Sequence, residues 1–152
     1  MYNTALRITN HRDDAEDVLQ EAFISAFRQL ASYQGRATFG AWLKRIVINR
    51  SIDCVKRRHL DHLPLSAVGD DHSEAPPEIG TTGHWEVAQV RKAMEKLPDG
   101  YRIVFSLYLL EGYDHEEIAE ILGVSVSTSK SQLNRSKRKI RELLNQSYCH
   151  GE

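Results

Sequence analysis

Apolar residues recur at helical intervals in three stretches of this chain, and the stretch over residues 113–144 is the most telling. It reads YDHEEIAEILGVSVSTSKSQLNRSKRKIRELL, two helices around a tight turn. Asp114, followed three residues on by Glu117, is a capping-box start, and Ile118, Ala119, Ile121 and Leu122 form the buried face of the first helix. Gly123 suits the left-handed position that ends it, and Ser125 can cap the next. In the second helix Val126, Leu133, Ile140, Leu143 and Leu144 fall on one stripe, with Thr128, Ser131, Gln132, Arg135, Arg138 and Lys139 opposite. Six Lys and Arg and no acid lie between Lys130 and Arg141. This is the pattern of a helix-turn-helix, with early polar residues at base edges in the major groove and later cations at phosphates. A solvated basic face on a packed helix is the plainer alternative, and the capped turn weighs against it.

In the second stretch, residues 13–30, Ala15, Val18, Leu19, Ala22, Phe23, Ala26, Phe27 and Leu30 keep helical spacing without a break and define a core face. The other side carries Asp13, Asp14, Asp17, Gln20 and Glu21. The helix dipole accounts for acids in the first turn, Asp13, Asp14 and Glu16. Glu21 lies two turns in, where a basic protein partner explains it better. On the residues alone both accounts stand.

Residues 32–41, SYQGRATFGA, break the pattern, because Gly35 and Gly40 are unfavourable inside a helix. A loop with Tyr33, Arg36 and Phe39 can stack or pocket an unpaired base. An ordinary helix connection with inward aromatics is the simpler account. The third stretch, AWLKRIVINRSIDCVKRR over 41–58, buries Leu43, Ile46, Val47 and either Cys54 or Val55. It sets Arg45, Asn49, Asp53 and Lys56 on one outer face. Asn reads base edges and cations hold phosphates, so a basic helix behind an aromatic loop suits melting DNA better than intact duplex.

A chain of 152 residues with 41% hydrophobic content can fill one core or two small ones. The net charge of −1 hides segregation. Residues 44–58 hold six Lys and Arg against Asp53, whereas 60–86 hold six acids and no Lys or Arg. Binding follows the local patch. The acidic segment also carries three of the four prolines and no sustained periodicity, which predicts a flexible linker between two helical units. No apolar run approaches the roughly 18 residues of a membrane span, and no signal peptide opens the chain. Cys54 and Cys149 match no metal or disulfide pattern, and a cytoplasmic location is expected.

Two rival readings weaken on the residues. A stand-alone helix-turn-helix regulator usually adds a ligand or phosphorylation domain, and this chain offers a second basic helical unit instead. A metal protein or enzyme built on the seven histidines lacks ligand spacing: His59 and His62 sit at a helix end, His72, His84 and His115 have no carboxylate or Cys arrangement, and His150 lies in the tail. No phosphate-binding, dinucleotide or nucleophile motif is present, so neither a catalytic residue, a metal nor a cofactor is expected.

Together these features resemble a bacterial sigma-70-type transcription initiation factor of the extracytoplasmic function (ECF) class. LRITNHRDDAEDVLQEAFISAF, FGAWLKRIVINRSID and LPDGYRIVFSLYLLEGYDHEEIAEILGVS each resemble family segments, in family order, and the likeness covers residues 5–145. The resemblance implies an all-α fold of two small helical domains. Region 2 would occupy 1–60, an acidic flexible linker 61–84, region 4 85–146 and a tail 147–152. It implies docking of Asp17, Gln20 and Glu21 on the clamp of the largest subunit of core RNA polymerase, and of region 4 on the flap. Tyr33, Arg36 and Phe39 would capture a flipped base of the −10 element, with Arg45, Asn49, Asp53 and Lys56 on the adjoining promoter-facing helix. Thr128, Lys130, Ser131, Gln132, Asn134, Arg135, Arg138 and Lys139 would face the −35 element. A cognate anti-sigma factor is a further partner the family suggests; membrane insertion is not.

Three departures stand out. Family members begin further upstream, so Met1, Tyr2 and Asn3 fall inside the region 2.1 helix, whose N-terminal part is expected to be incomplete. Ser127 and Ser129 stand where the family usually has Gly and Val, and Ser129 lies on the buried stripe; loose packing or a bond to the preceding turn is expected there. Gln132 replaces a frequent Arg, which suggests a different −35 preference.

Overall fold

The computed structural model describes residues 1–62 and 86–149. All regular elements among them are helical: α1 (Tyr2–Thr9), α2 (Arg12–Arg28), a single 3-10 turn (Leu30–Ser32), α3 (Phe39–His62), α4 (Val87–Glu95), α5 (Asp99–Phe105), a π turn (Ser106–Leu110), α6 (His115–Leu122) and α7 (Val126–Cys149). The expected linker over 61–84, with His72 and His84, lies outside the described residues except for the last two positions of α3. At the other end α7 continues to Cys149, past the expected end of region 4 at 146.

Helices α1, α2 and α3 pack on one another, and α4, α5 and α6 pack around α7. Between the first three lies a small core of Ala5, Ala15, Val18, Ala22 and Val47, whose short side chains let the helices approach closely. The sequence pattern overstated this face. Phe23, Phe27 and Leu30 are 42%, 75% and 48% exposed, while the buried line runs through Ala15, Val18, Ala22 and Ala26. Phe23 and Phe27 each follow a buried alanine by one residue, about 100° round the helix, which turns them off the contact line, while Leu19 stays at its edge.

A larger core joins the two halves. Ile8, Ile48, Ile52 and Val55 from α1 and α3 meet Ala93, Met94, Leu97, Ile103, Val104, Phe105, Leu107, Ile118, Leu133, Ile140 and Leu144. Helix α3 is therefore buried on two sides, which is why Ile48 and Ile52 join the expected Leu43 and Val47, and why Val55 rather than Cys54 is the fully covered alternative. Each large side chain so buried contributes about 1.5–3 kcal/mol.

Polar groups fix how the halves meet. Arg102, 3% exposed, donates from Nε to Arg7 O (3.0 Å), from Nη2 to Ile8 O (3.1 Å) and from Nη1 to Leu97 O (3.0 Å), and pairs with Asp99. Arg58 Nη2 donates to Thr9 O at 2.5 Å. The last carbonyls of α1, which no helical N–H can reach, are thus closed by two guanidinium groups. The π turn swings Glu111 against α1 and α3, where its 4% exposed carboxylate accepts from Thr4 (2.8 Å) and pairs with Arg7 (2.6 Å) and Lys44 (3.0 Å). Burial works to raise the Glu111 pKa, and hydrogen bonds from Lys44, Thr4 and Arg7 outweigh it, holding the group below the ordinary carboxylate range. Buried ion pairs of this kind roughly break even in energy, so the apolar core holds the halves together and the charges choose their orientation.

Candidate nucleic-acid and polymerase interface

The helix-turn-helix is built from local signals. Asp114 Oδ1 accepts from the Glu117 N–H at 2.8 Å and Glu117 Oε2 from the Asp114 N–H at 2.9 Å, closing the capping box of α6. Gly123 ends α6 at φ 69° and ψ 36°, a conformation in which a side chain is strained. Ser125 Oγ accepts from the Thr128 N–H at 3.1 Å as α7 begins. Leu133, Ile140 and Leu144 are buried and Val126 and Leu143 half-buried, as their stripe predicts.

On the far side Lys130, Ser131, Asn134 and Arg138 are exposed, and Arg135 and Lys139 are half-exposed. Arg138 and Lys139 share Glu142 at 3.8 and 3.3 Å, weak surface pairs that a phosphate can replace. Two expected members of the face turn aside. The Thr128 hydroxyl sits in the cap, 2.8 Å from Ser125 Oγ. Gln132 leans over Gly100 of α5, where a Cβ would come within 3.0 Å of Oε1. Thr128 and Gln132 are accordingly engaged within the protein, unlike the exposed Lys130, Ser131 and Asn134.

The loop before α3 gathers its rings. Tyr33, Phe39 and Trp42 lie with centroids 5.2–5.8 Å apart, and Tyr33 Oη donates to Ala37 O at 2.5 Å. Gly35 takes φ 67° in the turn, while Gly40 falls in the first turn of α3. Phe39 is 48% exposed and Arg36 is exposed, so the cluster is a ledge open to solvent and not a buried connection. Trp42 is its third wall, a residue missed from the sequence because it sits inside the helical pattern.

Along α3, Asn49, Asp53 and Lys56 are exposed as expected. Arg45 is not free: its guanidinium lies 3.9 Å from Glu120 and 5.9 Å from the centre of the Tyr113 ring. Burial raises the Tyr113 pKa, and Arg45 and Lys44 oppose that shift. On α2, Asp13, Asp17, Gln20 and Glu21 are exposed together, with Glu21 3.8 Å from Arg57 and Asp14 3.2 Å from Arg58. No cluster of groups able to hold a metal occurs among the described residues, and no helix there is long and apolar enough to cross a membrane. His59 is instead 2.8 Å from Asp99 across the two halves.

Comparison with known proteins agrees with this geometry. Residues 1–60 match the family model for sigma-70 region 2 and residues 88–140 that for sigma-70 region 4. ECF RNA polymerase sigma factor SigE of Mycolicibacterium smegmatis is 34% identical over 95% of this chain, which spans 57% of that protein's length. ECF RNA polymerase sigma factor EcfG of Rhodopseudomonas palustris is 32% identical over 92% of this chain and 76% of its own length. Among solved structures, the sigma factor RpoE from Bartonella quintana, in complex with the anti-sigma factor NepR, superposes with a TM-score of 0.65 at 23% identity over 95% of this chain and 89% of that one. CnrH in complex with the cytosolic domain of CnrY gives 0.58 at 26% identity over 95% and 80%. The order of the helices, the capped turn before α7 and these likenesses lead to one conclusion: the chain belongs to the ECF class of the sigma-70 family.

Proposed function

We propose that this chain is a transcription initiation factor that joins core RNA polymerase, recognises −10 and −35 promoter elements and promotes strand opening to start a specific set of transcripts. The observation that carries this reading is the presence in one chain of two unlike nucleic-acid faces: the open polar side of α7, and the aromatic ledge with Asn49, Asp53 and Lys56 behind it. The acidic side of α2 (Asp17, Gln20 and Glu21) supplies the contact to a basic surface of the polymerase. The chain contributes specificity and the polymerase supplies the chemistry, in the cytoplasm. Flipping a base out of the stack takes a few kcal/mol, which an aromatic ledge returns in part by stacking. An anti-sigma factor is a further proposed partner, supported by the two solved relatives, which were each captured with another protein bound.

The test is reconstitution. Purified chain with core polymerase should select fragments from a promoter library and give run-off transcripts from them. Glu21→Lys should abolish core binding with the helical circular-dichroism signal intact, because the pair with Arg57 that it breaks is exposed and weak. Transcripts that start equally well without the chain, or core binding unaffected by that reversal at moderate salt, would contradict the reading.

A further inference from the structure

Ser129 is fully buried, on the stripe of α7 that otherwise carries Val126, Leu133, Ile140 and Leu144. A hydroxyl enclosed among apolar groups is unfavourable unless it is bonded. Its partner is not the preceding turn. Ser129 Oγ lies 2.9 Å from His115 Nδ1, at the first residue of α6, and the His115 ring stacks on Tyr108 of the π turn at 4.6 Å and 22°. The bond therefore ties the start of α6 to the first turn of α7.

We propose that the His115–Ser129 bond, braced by Tyr108, is a strut that sets the rotation of α7 in the groove, making both residues positioning determinants of −35 selectivity that touch no DNA. This rests on the reading of α7 as the −35 helix. An apolar pair at this point would tolerate sliding and rolling, whereas a hydrogen bond fixes distance and direction together. Residues of an α-helix reach about 5–6 Å from its axis, so a roll of about 10° displaces Ser131 and Arg135 by about 1 Å. That displacement is enough to lose a two-pronged contact to a base edge. The surroundings favour the neutral ring: burial first, then Lys130 and Lys137 of α7, lower the His115 pKa against the opposing charge of Asp114. A neutral imidazole can exchange donor and acceptor roles with the hydroxyl and keep the bond.

The experiment compares Ser129→Val with Ser129→Thr, two side chains of similar volume of which only threonine keeps the hydroxyl, alongside His115→Phe, which keeps a ring for Tyr108 and removes the nitrogen. Each full-length variant is assembled with core polymerase, and bound fragments are sequenced from a library randomised over the −35 element. Ser129→Val and His115→Phe should each change relative affinities among −35 sequences by about fivefold, the scale of one hydrogen bond. Ser129→Thr should stay within about twofold of the parent. The Ser129→Val/His115→Phe double variant, in which no polar group is left unpaired, should fold even where a single variant does not, and should show the altered profile without further change. Identical profiles for Ser129→Val and Ser129→Thr, a uniform loss on all sequences, or a double variant with the parental profile would overturn the strut. Arg135→Ala separates the two levels. If it shifts the profile and the strut variants do not, only the strut fails; if none of them shifts it, the reading of α7 falls as well.

Discussion

Lys130, Ser131 and Asn134 on α7 stand in solvent, whereas Lys44 and Arg45 on α3 are engaged by Glu111, Glu120 and Tyr113 of the other half. Both helices carry basic and polar residues; on α7 the cations that pair do so within their own helix, Arg138 and Lys139 with Glu142, whereas on α3 they pair across the two halves. If α7 is the −35 helix, as proposed, its exposed Lys130, Ser131 and Asn134 can be reached without separating the two halves. On α3, Asn49, Asp53 and Lys56 are accessible, and in the proposed −10 role Arg45 would have to leave Glu120 and Tyr113 to reach a phosphate. A cation held by a carboxylate of its own chain must exchange one partner for another. For Arg138 and Lys139 that partner is an exposed neighbour on the same helix, whereas for Lys44 it is the buried Glu111 of the other half, and that exchange would cost more.

The largest break in this contrast comes from the groups that orient the halves. Arg102→Ala leaves the last carbonyls of α1 and the Asp99 carboxylate without their donor, and should destabilise the chain by about 3–5 kcal/mol in urea unfolding. A loss under about 1 kcal/mol would mean that the apolar core alone sets the docking. Phe39→Ala comes next: the ring is half-exposed, so stability should change by less than about 0.5 kcal/mol. Strand opening in the holoenzyme should weaken by about 1–3 kcal/mol, the worth of one stacked base. Normal permanganate reactivity would remove the ledge from the account.

Acid should loosen the junction through Glu111. Its folded pKa lies below the ordinary 4.5, so an unfolded chain takes up the proton first as pH falls. The stabilisation is complete above that ordinary value and fades as pH drops through the lowered one. It is moderated because Arg7 and Lys44 keep part of their hydration. In Glu111→Gln the part of the acid-dependent loss that is due to this site should vanish; the same pH dependence in both proteins would place it elsewhere. The smallest effect is expected from Lys139→Ala, which should weaken every −35 sequence alike and lower the salt slope by roughly one unit. A sequence-dependent change would make Lys139 a reader.

What the sequence made legible is what is encoded within a few residues. The capping box at Asp114 and Glu117, the left-handed Gly123 and the stripe of α7 are short-range features, and each stands where its spacing placed it. The ECF resemblance likewise rests on contiguous segments. Arg102 was illegible because its partners, the carbonyls of Arg7 and Ile8, are 95 and 94 residues away. The same distance hid the engagement of Arg45 and the second buried side of α3. Phe23, Phe27 and Leu30 fit a helical period, but period alone does not say how wide a face a neighbour covers. The environment of Ser129 needed a partner from another helix before its hydroxyl made sense.

The division of labour between α7 and α3 is tested most directly by one comparison in the holoenzyme: Asn49→Ala against Arg135→Ala, each scored for promoter binding and for permanganate reactivity on the same selected promoter. Arg135→Ala should lose binding on the preferred −35 sequence by about 1–3 kcal/mol, while the fraction that binds opens normally. Asn49→Ala should bind nearly as the parent does and fail to open. Loss of binding and opening in equal proportion in both variants would contradict the account, because the two helices would then be doing the same work.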